Sequence, residues 1–192
     1  MNKLKPLVAL FAMLSALLIL NGCAGAKGDS KSDKISNINK MRSEDLAELY
    51  KMAPNAKQQI AKAYGYAVFD NKGIYILALS SGQGYGVARN NRTGKDTYMK
   101  MFSAGAGVGM GIRKFSAVFV FKTKTSYDYF LEHGFTGHGS ADIAAEYKDM
   151  GDSASLALDI APDVKLYQIT EAGIAVQATL QGSKFWKDDE LN

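Results

Sequence analysis

Apolar and polar positions recur along this chain with three different spacings, and each spacing predicts a different kind of element. Leu7 to Leu20 is an unbroken apolar run except for Ser15, and Lys3 and Lys5 precede it. The next stretch, AGAKGDSKSDKISNINK over 24–40, is small, polar and charged without an apolar period, which predicts a flexible tether. At Ser43 a cap-type residue precedes Glu44 and Asp45, and Leu46, Leu49, Tyr50 and Ala53 follow at helical spacing. A short amphipathic helix is expected there, either covering a core or lying on a lipid surface with Lys34, Lys40 and Arg42 upstream and Lys51 within it. Pro54 and Asn55 interrupt it, and Ala56, Ile60, Ala63 and Tyr64 predict a second helix that Gly65 stops.

From Tyr66 the spacing falls to two, the signature of strands. Tyr66 to Phe69 is expected to turn at Asp70-Asn71-Lys72-Gly73 into Ile74 to Ser80, and Gln83 to Arg89 to turn around Asn90 to Gly94. Thr97 to Ser103 and a glycine-rich run to Ile112 follow. Phe115 to Phe121, FSAVFVF, has almost no polar residue and predicts a central strand buried on both faces. A cap at Lys124-Thr125-Ser126 and the apolar residues Tyr127, Phe130 and Leu131 predict a third helix ended by Gly134. Phe135 to Asp163 holds six acidic residues against one lysine and reads as edge strands or a flap. Val164 to Thr170 and Ile174 to Leu180 predict a hairpin, with Phe185 and Trp186 pinning the end of the chain to the core. The expected class is α+β: one domain over 43–192, with a mainly antiparallel sheet of about seven to nine strands and three short helices.

The first segment changes the setting. These fourteen residues are too few to span a bilayer, which takes about 20, but they suit a removable signal peptide over 1–22. The run ends in Leu20-Asn21-Gly22-Cys23, which resembles the bacterial lipobox, with Asn21 in place of the usual small or aliphatic residue. Cys23 is the only cysteine, so in an exported protein it has no disulfide partner within the chain. The resemblance implies a diacylglyceryl thioether on Cys23, and each buried methylene contributes about 0.8 kcal/mol to membrane attachment. Ala24 after the cysteine implies, by the same resemblance, sorting to the outer membrane, facing the periplasm. Residues 23–42 would then be the lipidated cysteine and its tether.

Composition narrows the chemistry. Across 192 residues, 47% hydrophobic and 22% charged side chains exclude collagen-like and wholly disordered classes. The formal charge of +4 falls to +2 without Lys3 and Lys5, too weak to indicate nucleic acid. No catalytic, metal or cofactor site is expected. Gly105, Gly107, Gly109 and Gly111 alternate, but Met110 or Ile112 stands where a dinucleotide loop needs its third glycine. His133 and His138 are the only histidines and make a poor zinc site. Ser140 lacks the flanking glycines of a nucleophile elbow, and Asp142 and Glu146 have no recognisable partner.

The glycines do carry physical content, because residues two apart on a strand share a face. Gly105, Gly107, Gly109 and Gly111 strip one face of side chains, and Gly82, Gly84 and Gly86 do so on the preceding hairpin. Adjoining stripes would make a shallow trough, filled either by a closely packed helix or by an acyl chain or other flat apolar ligand. These seven glycines, with Lys40, Arg42 and Lys51, are the candidate lipid-contacting residues.

The order of these segments resembles the SYLF lipid-binding domain. The resemblance covers about residues 43–192 and rests on AYGYAVFDNKGIYILALSSGQGYGVAR, FSAGAGVGMGIRKFSAVFVFKTKTSYDYFLEHG, SADIAAEY and VKLYQITEAGIAVQATLQGSKFW. It implies a non-enzymatic domain of mixed helix and sheet that associates with membrane lipid. Eukaryotic members bind phosphoinositides through basic residues and an N-terminal amphipathic helix. Here Glu44, Asp45 and Glu48 oppose Lys51 in that helix, so lipid contact in general is the expectation rather than that headgroup. The expected function is therefore an envelope lipoprotein whose domain binds lipid, the alternative being a structural or assembly factor that binds an envelope protein.

Overall fold

Helix α1 (Lys31–Met52) begins well before Ser43, inside the stretch expected to be a tether. The computed structural model describes residues 26–76, 79–106, 111–134, 158–170, 173–174 and 183–192. Ser30 caps α1 in a reciprocal box: its hydroxyl accepts from the Asp33 amide at 3.1 Å, and its own amide donates to Asp33 at 3.2 Å. Ile35, Ile38, Met41, Leu46 and Leu49 form a narrow stripe against the core. Between them nearly every residue is polar, so the helical period escapes notice until the burial is seen. The tether expected over 24–42 is thus corrected from Lys31 onward. Lys34 adds an ion pair to Glu190 at 2.5 Å, and Asn37 donates to the Lys27 carbonyl at 2.8 Å.

Pro54 opens α2 (Pro54–Lys62) as its first residue, where a missing N–H costs nothing. Ala53 before it is pushed out of helical geometry, to φ −131° and ψ 79°, and this bends the chain between the two helices.

The strands are β1 (Gly65–Ile76), β2 (Leu79–Asn90), β3 (Asp96–Ala106), β4 (Gly111–Phe121), β5 (Leu158–Ala161), β6 (Val164–Thr170), β7 (Gly173–Ile174) and β8 (Lys184–Lys187). They form one antiparallel sheet in the order β5-β6-β4-β1-β2-β3-β8, with β7 also paired to β6. The turn expected at Asp70 to Gly73 does not exist. β1 runs straight through those residues because it is hydrogen-bonded on both sides, Asn71 lying opposite Gly84 of β2 and Phe115 of β4. The Asn71 amide, fully buried, reaches Ser103 of β3 at 3.2 Å over the space that glycine leaves. The other predicted turn is present: Asn90 accepts from the amides of Arg92 and Thr93, and Gly94 takes φ +73°.

β4 lies between β1 and β6, and its Phe115 to Phe121 stretch is buried except at Ser116, as the apolar run predicts. The sheet is covered on both faces. Tyr66, Val68, Val87, Val118 and Val120 meet α1 and α2. Phe69, Phe119, Phe121 and Phe130 meet Phe185 on the other side. That Phe185, on the edge strand β8, comes within 5.3 Å of the Phe119 ring on an inner strand shows how far the sheet curls. Helix α3 (Lys124–His133) fills the curl, capped by Thr123 and ended at Gly134 with φ +67°. The fold is α+β, as the pattern of elements predicts. β5 is an edge strand, and β6 pairs with the start of the expected hairpin partner at Ile169 and Ile174. The expectations placed on Cys23, Gly107, Gly109, His138, Ser140, Asp142, Glu146 and 175–180 lie outside the described residues.

Candidate functional site

Helix α1 crosses the sheet over a cleft of about 380 Å³. Its floor is one row of the sheet: Asp70 of β1 lies between Tyr85 of β2 and Ser116 of β4, its partners in register on either side. Its roof is α1, where Glu44, Asp45 and Glu48 fall within one helical turn, and Lys27 and Lys40 line it too. Burial lifts the Asp45 carboxyl to a pKa of about 6; Ser116 opposes this by hydrogen bonding, while Asp70, Glu48 and Glu44 reinforce it by repulsion. Its Oδ2 atom is buried without a hydrogen-bond partner. Burial also raises the Tyr85 phenol, with Asp70 and Asp45 adding to the effect. This cleft can therefore exchange a proton near neutral pH. Among the described residues no three acidic, histidine or cysteine side chains gather as a metal site.

The candidate lipid-contacting residues are not brought together. Lys40 is exposed and only loosely paired, 3.9 Å from Glu44, and Lys51 is exposed two turns and more further along α1. Arg42 turns inward: its guanidinium meets Asp96 at 2.9 Å, and only 16% of its side chain is exposed. It fastens α1 to β3 and is not available to a headgroup. Gly82, Gly84 and Gly86 are buried, and neighbouring strands fill their stripe. A Cβ on Gly82 would strike the Asn71 and Ser103 side chains, one on Gly84 the Asp70 carbonyl and Met101, and one on Gly86 the Val68 carbonyl and Phe69. These three line no open trough; the side chains of β1 and β3 occupy it instead of a helix or a ligand. Of the second stripe, Gly105 lies opposite Ser80 and diagonal to Gly82, and Gly111 lies opposite Tyr75.

Sequence reasoning missed a different set. The α1-side face of the sheet holds two further rows: Asp70, Tyr85, Lys100 and Trp186, which begins under α1, and Lys72, Gln83, Phe102 and Lys184 beyond it. Phe102 and Trp186 are 38% and 39% exposed, unusual for large apolar side chains, and Lys72 and Lys184 are exposed beside them. The signal was present as alternation, Lys100 and Phe102 on one strand and Lys184 and Trp186 on another, but only the register of β3 with β8 unites them. His133 is exposed and lies against Tyr129, with ring centres 4.6 Å apart and the planes tilted by 59°. No described helix is long and apolar enough to cross a membrane.

No protein-family model matches the chain. It is similar to Beta cell expansion factor A of Aeromonas veronii, with 39% identity over 154 residues. The match takes in 80% of this chain and 57% of that protein, so the chain spans little more than half the length of its relative.

Proposed function

We propose that this chain is a lipid-anchored protein of a bacterial envelope, held at the outer membrane through Cys23. Its domain, similar to SYLF domains, contacts lipid and catalyses no reaction. The observation that carries this reading is the position of the lone cysteine. It follows directly on the apolar run, and the folded domain begins only a few residues later, with Ala26 already buried in the core and Lys27 bonded to α1. An acylated Cys23 would hold that domain against the headgroups. The effect that names the relative belongs to a longer protein and is not needed for this reading.

The test is Cys23→Ser in the full chain, expressed in a bacterium with two membranes. Radiolabelled palmitate should enter the wild-type protein and not the variant, and the variant should leave the outer-membrane fraction. A variant that still fractionates with envelopes as the wild type does overturns the proposal.

A second reading, an assembly factor that receives a protein segment, is favoured by the cleft, where Glu44, Asp45, Glu48 and Asp70 would attract a basic side chain. Charge reversal at Glu44 and Glu48 would weaken such a complex and leave lipid attachment unchanged.

A further inference from the structure

We propose that the uncovered half of the α1-side sheet face, built from Lys72, Lys100, Phe102, Lys184 and Trp186, is the surface this domain lays against an anionic bilayer. The inference rests on the lipid-anchored reading above and gives it a place on the molecule, different from the basic residues of α1.

Three observations converge. The first is side-chain chemistry. Phe102 and Trp186 are diagonal neighbours on β3 and β8, both more than a third exposed, and aromatic rings of this kind settle where hydrocarbon meets headgroups. The second is charge. Lys72 and Lys184 lie on either side of Phe102 in one row, and Lys100 stands between Tyr85 and Trp186 in the next. Asp188 is buried and neutralises Lys100 at 3.0 Å, so the attraction rests on Lys72 and Lys184, while Asp70 belongs to the cleft under α1. Lysines this close to an anionic leaflet are drawn to it electrostatically.

The third observation is where the anchor leaves the domain. Lys27 lines the same cleft as Asp70 and Tyr85, and those two residues belong to the row that ends in Trp186. Cys23 lies four residues before Lys27, a reach of at most about 14 Å for an extended chain. Acyl chains on Cys23 therefore enter the bilayer beside this face. A sheet face with a row ending in lysines, two rings more than a third exposed and a lipid anchor near its rim fits a membrane surface.

Trp186 is the only tryptophan, so its emission reports on this face alone. The experiment reconstitutes the full acylated chain with vesicles of phosphatidylethanolamine and phosphatidylglycerol, some carrying brominated acyl chains, and with vesicles of phosphatidylcholine. In the anionic vesicles Trp186 should shift to the blue and lose most of its emission to bromine. In phosphatidylcholine both effects should be much smaller. The double variant Lys72→Glu, Lys184→Glu should still float with anionic vesicles through Cys23 but lose the quenching, with its circular dichroism unchanged. Protein that floats while Trp186 stays unquenched overturns this surface alone and favours a protein partner. Equal quenching in both lipids, or quenching that survives the double variant, overturns it as well, since charge is part of its ground. A failure to float overturns the anchored reading and this inference with it.

Discussion

Arg42 of α1 and Asp96 at the start of β3 meet at 2.9 Å with 16% and 18% of their side chains exposed, and Arg89 of β2 reaches the same carboxylate oxygen at 3.0 Å. Two strands and a helix are thereby tied at one point. The hydrogen bond that Arg89 donates to Asp96 also raises the Arg89 pKa, against a smaller opposing effect of burial.

Arg42→Ala should therefore lower stability by about 1–2 kcal/mol, between the values for exposed and fully buried pairs, because Arg89 continues to neutralise Asp96. Denaturant unfolding would show a lower midpoint. Vesicle flotation through Cys23 should not change. A variant that unfolds at the wild-type midpoint would place Arg42 outside the α1 clasp.

Asp45 predicts a pH dependence. Its pKa is 3.8 in the unfolded chain and about 6 in the folded one, so the folded state binds more protons between those values. The stability it permits is full below about pH 4, falls as pH rises toward 6 and stays reduced above. The shift corresponds to at most about 3 kcal/mol, and to about 1–2 kcal/mol after allowing for solvent around a partly exposed carboxyl. Asp45→Asn should accordingly raise the unfolding midpoint at pH 7.5 (about neutral) and leave it nearly unchanged at pH 4 (about the unfolded pKa), when wild type and variant are compared at each pH. Equal differences at both would remove Asp45 as the source.

Gly84 and Gly86 are packing positions. Alanine at either would drive a methyl into a backbone carbonyl of β1, which cannot give way without breaking the pairing of β1 with β2. Each substitution should cost about 1–3 kcal/mol or more. Gly94→Ala, in the exposed turn, meets no crowding and pays only for its positive φ, so its loss in thermal melting should be smaller.

Phe119 is the hub of the second core. Its ring lies 5.3 Å from Phe185, 5.5 Å from Phe130 and 6.0 Å from Phe69. Phe119→Ala should cost about 3–5 kcal/mol, and Phe119→Leu distinctly less. Near-ultraviolet circular dichroism would register the loss of ring packing, and an intact signal in the alanine variant would argue against this cluster as the core.

The parts of the fold legible in the sequence are those in which local pattern and tertiary packing agree. FSAVFVF had only one environment open to it, and Gly134 could only end α3. Where they disagree, pairing prevailed. Asp70-Asn71-Lys72-Gly73 has the composition of a turn, but strands on both sides hold it straight, β2 following after Ile76 and β4 coming from much further along the chain. The first half of α1 was obscured for a related reason: Ile35, Ile38 and Met41 are sparse among polar residues, and their significance lies in what they meet. The candidate site followed the same rule. The exposure of Lys40 could be read from composition; that Arg42 turns inward depends on Asp96, 54 residues away.

The short distance between Cys23 and the start of the fold has a further consequence for recognition. With Ala26 buried and Asn37 holding Lys27 in place, only Ala24 and Gly25 separate Cys23 from the fold. Acylated at Cys23 as proposed, the molecule would be confined to a layer barely thicker than itself, and every encounter with another component of that leaflet would be effectively intramolecular. Effective concentrations in that regime reach the millimolar range, and a contact too feeble to detect between free molecules would be well occupied there.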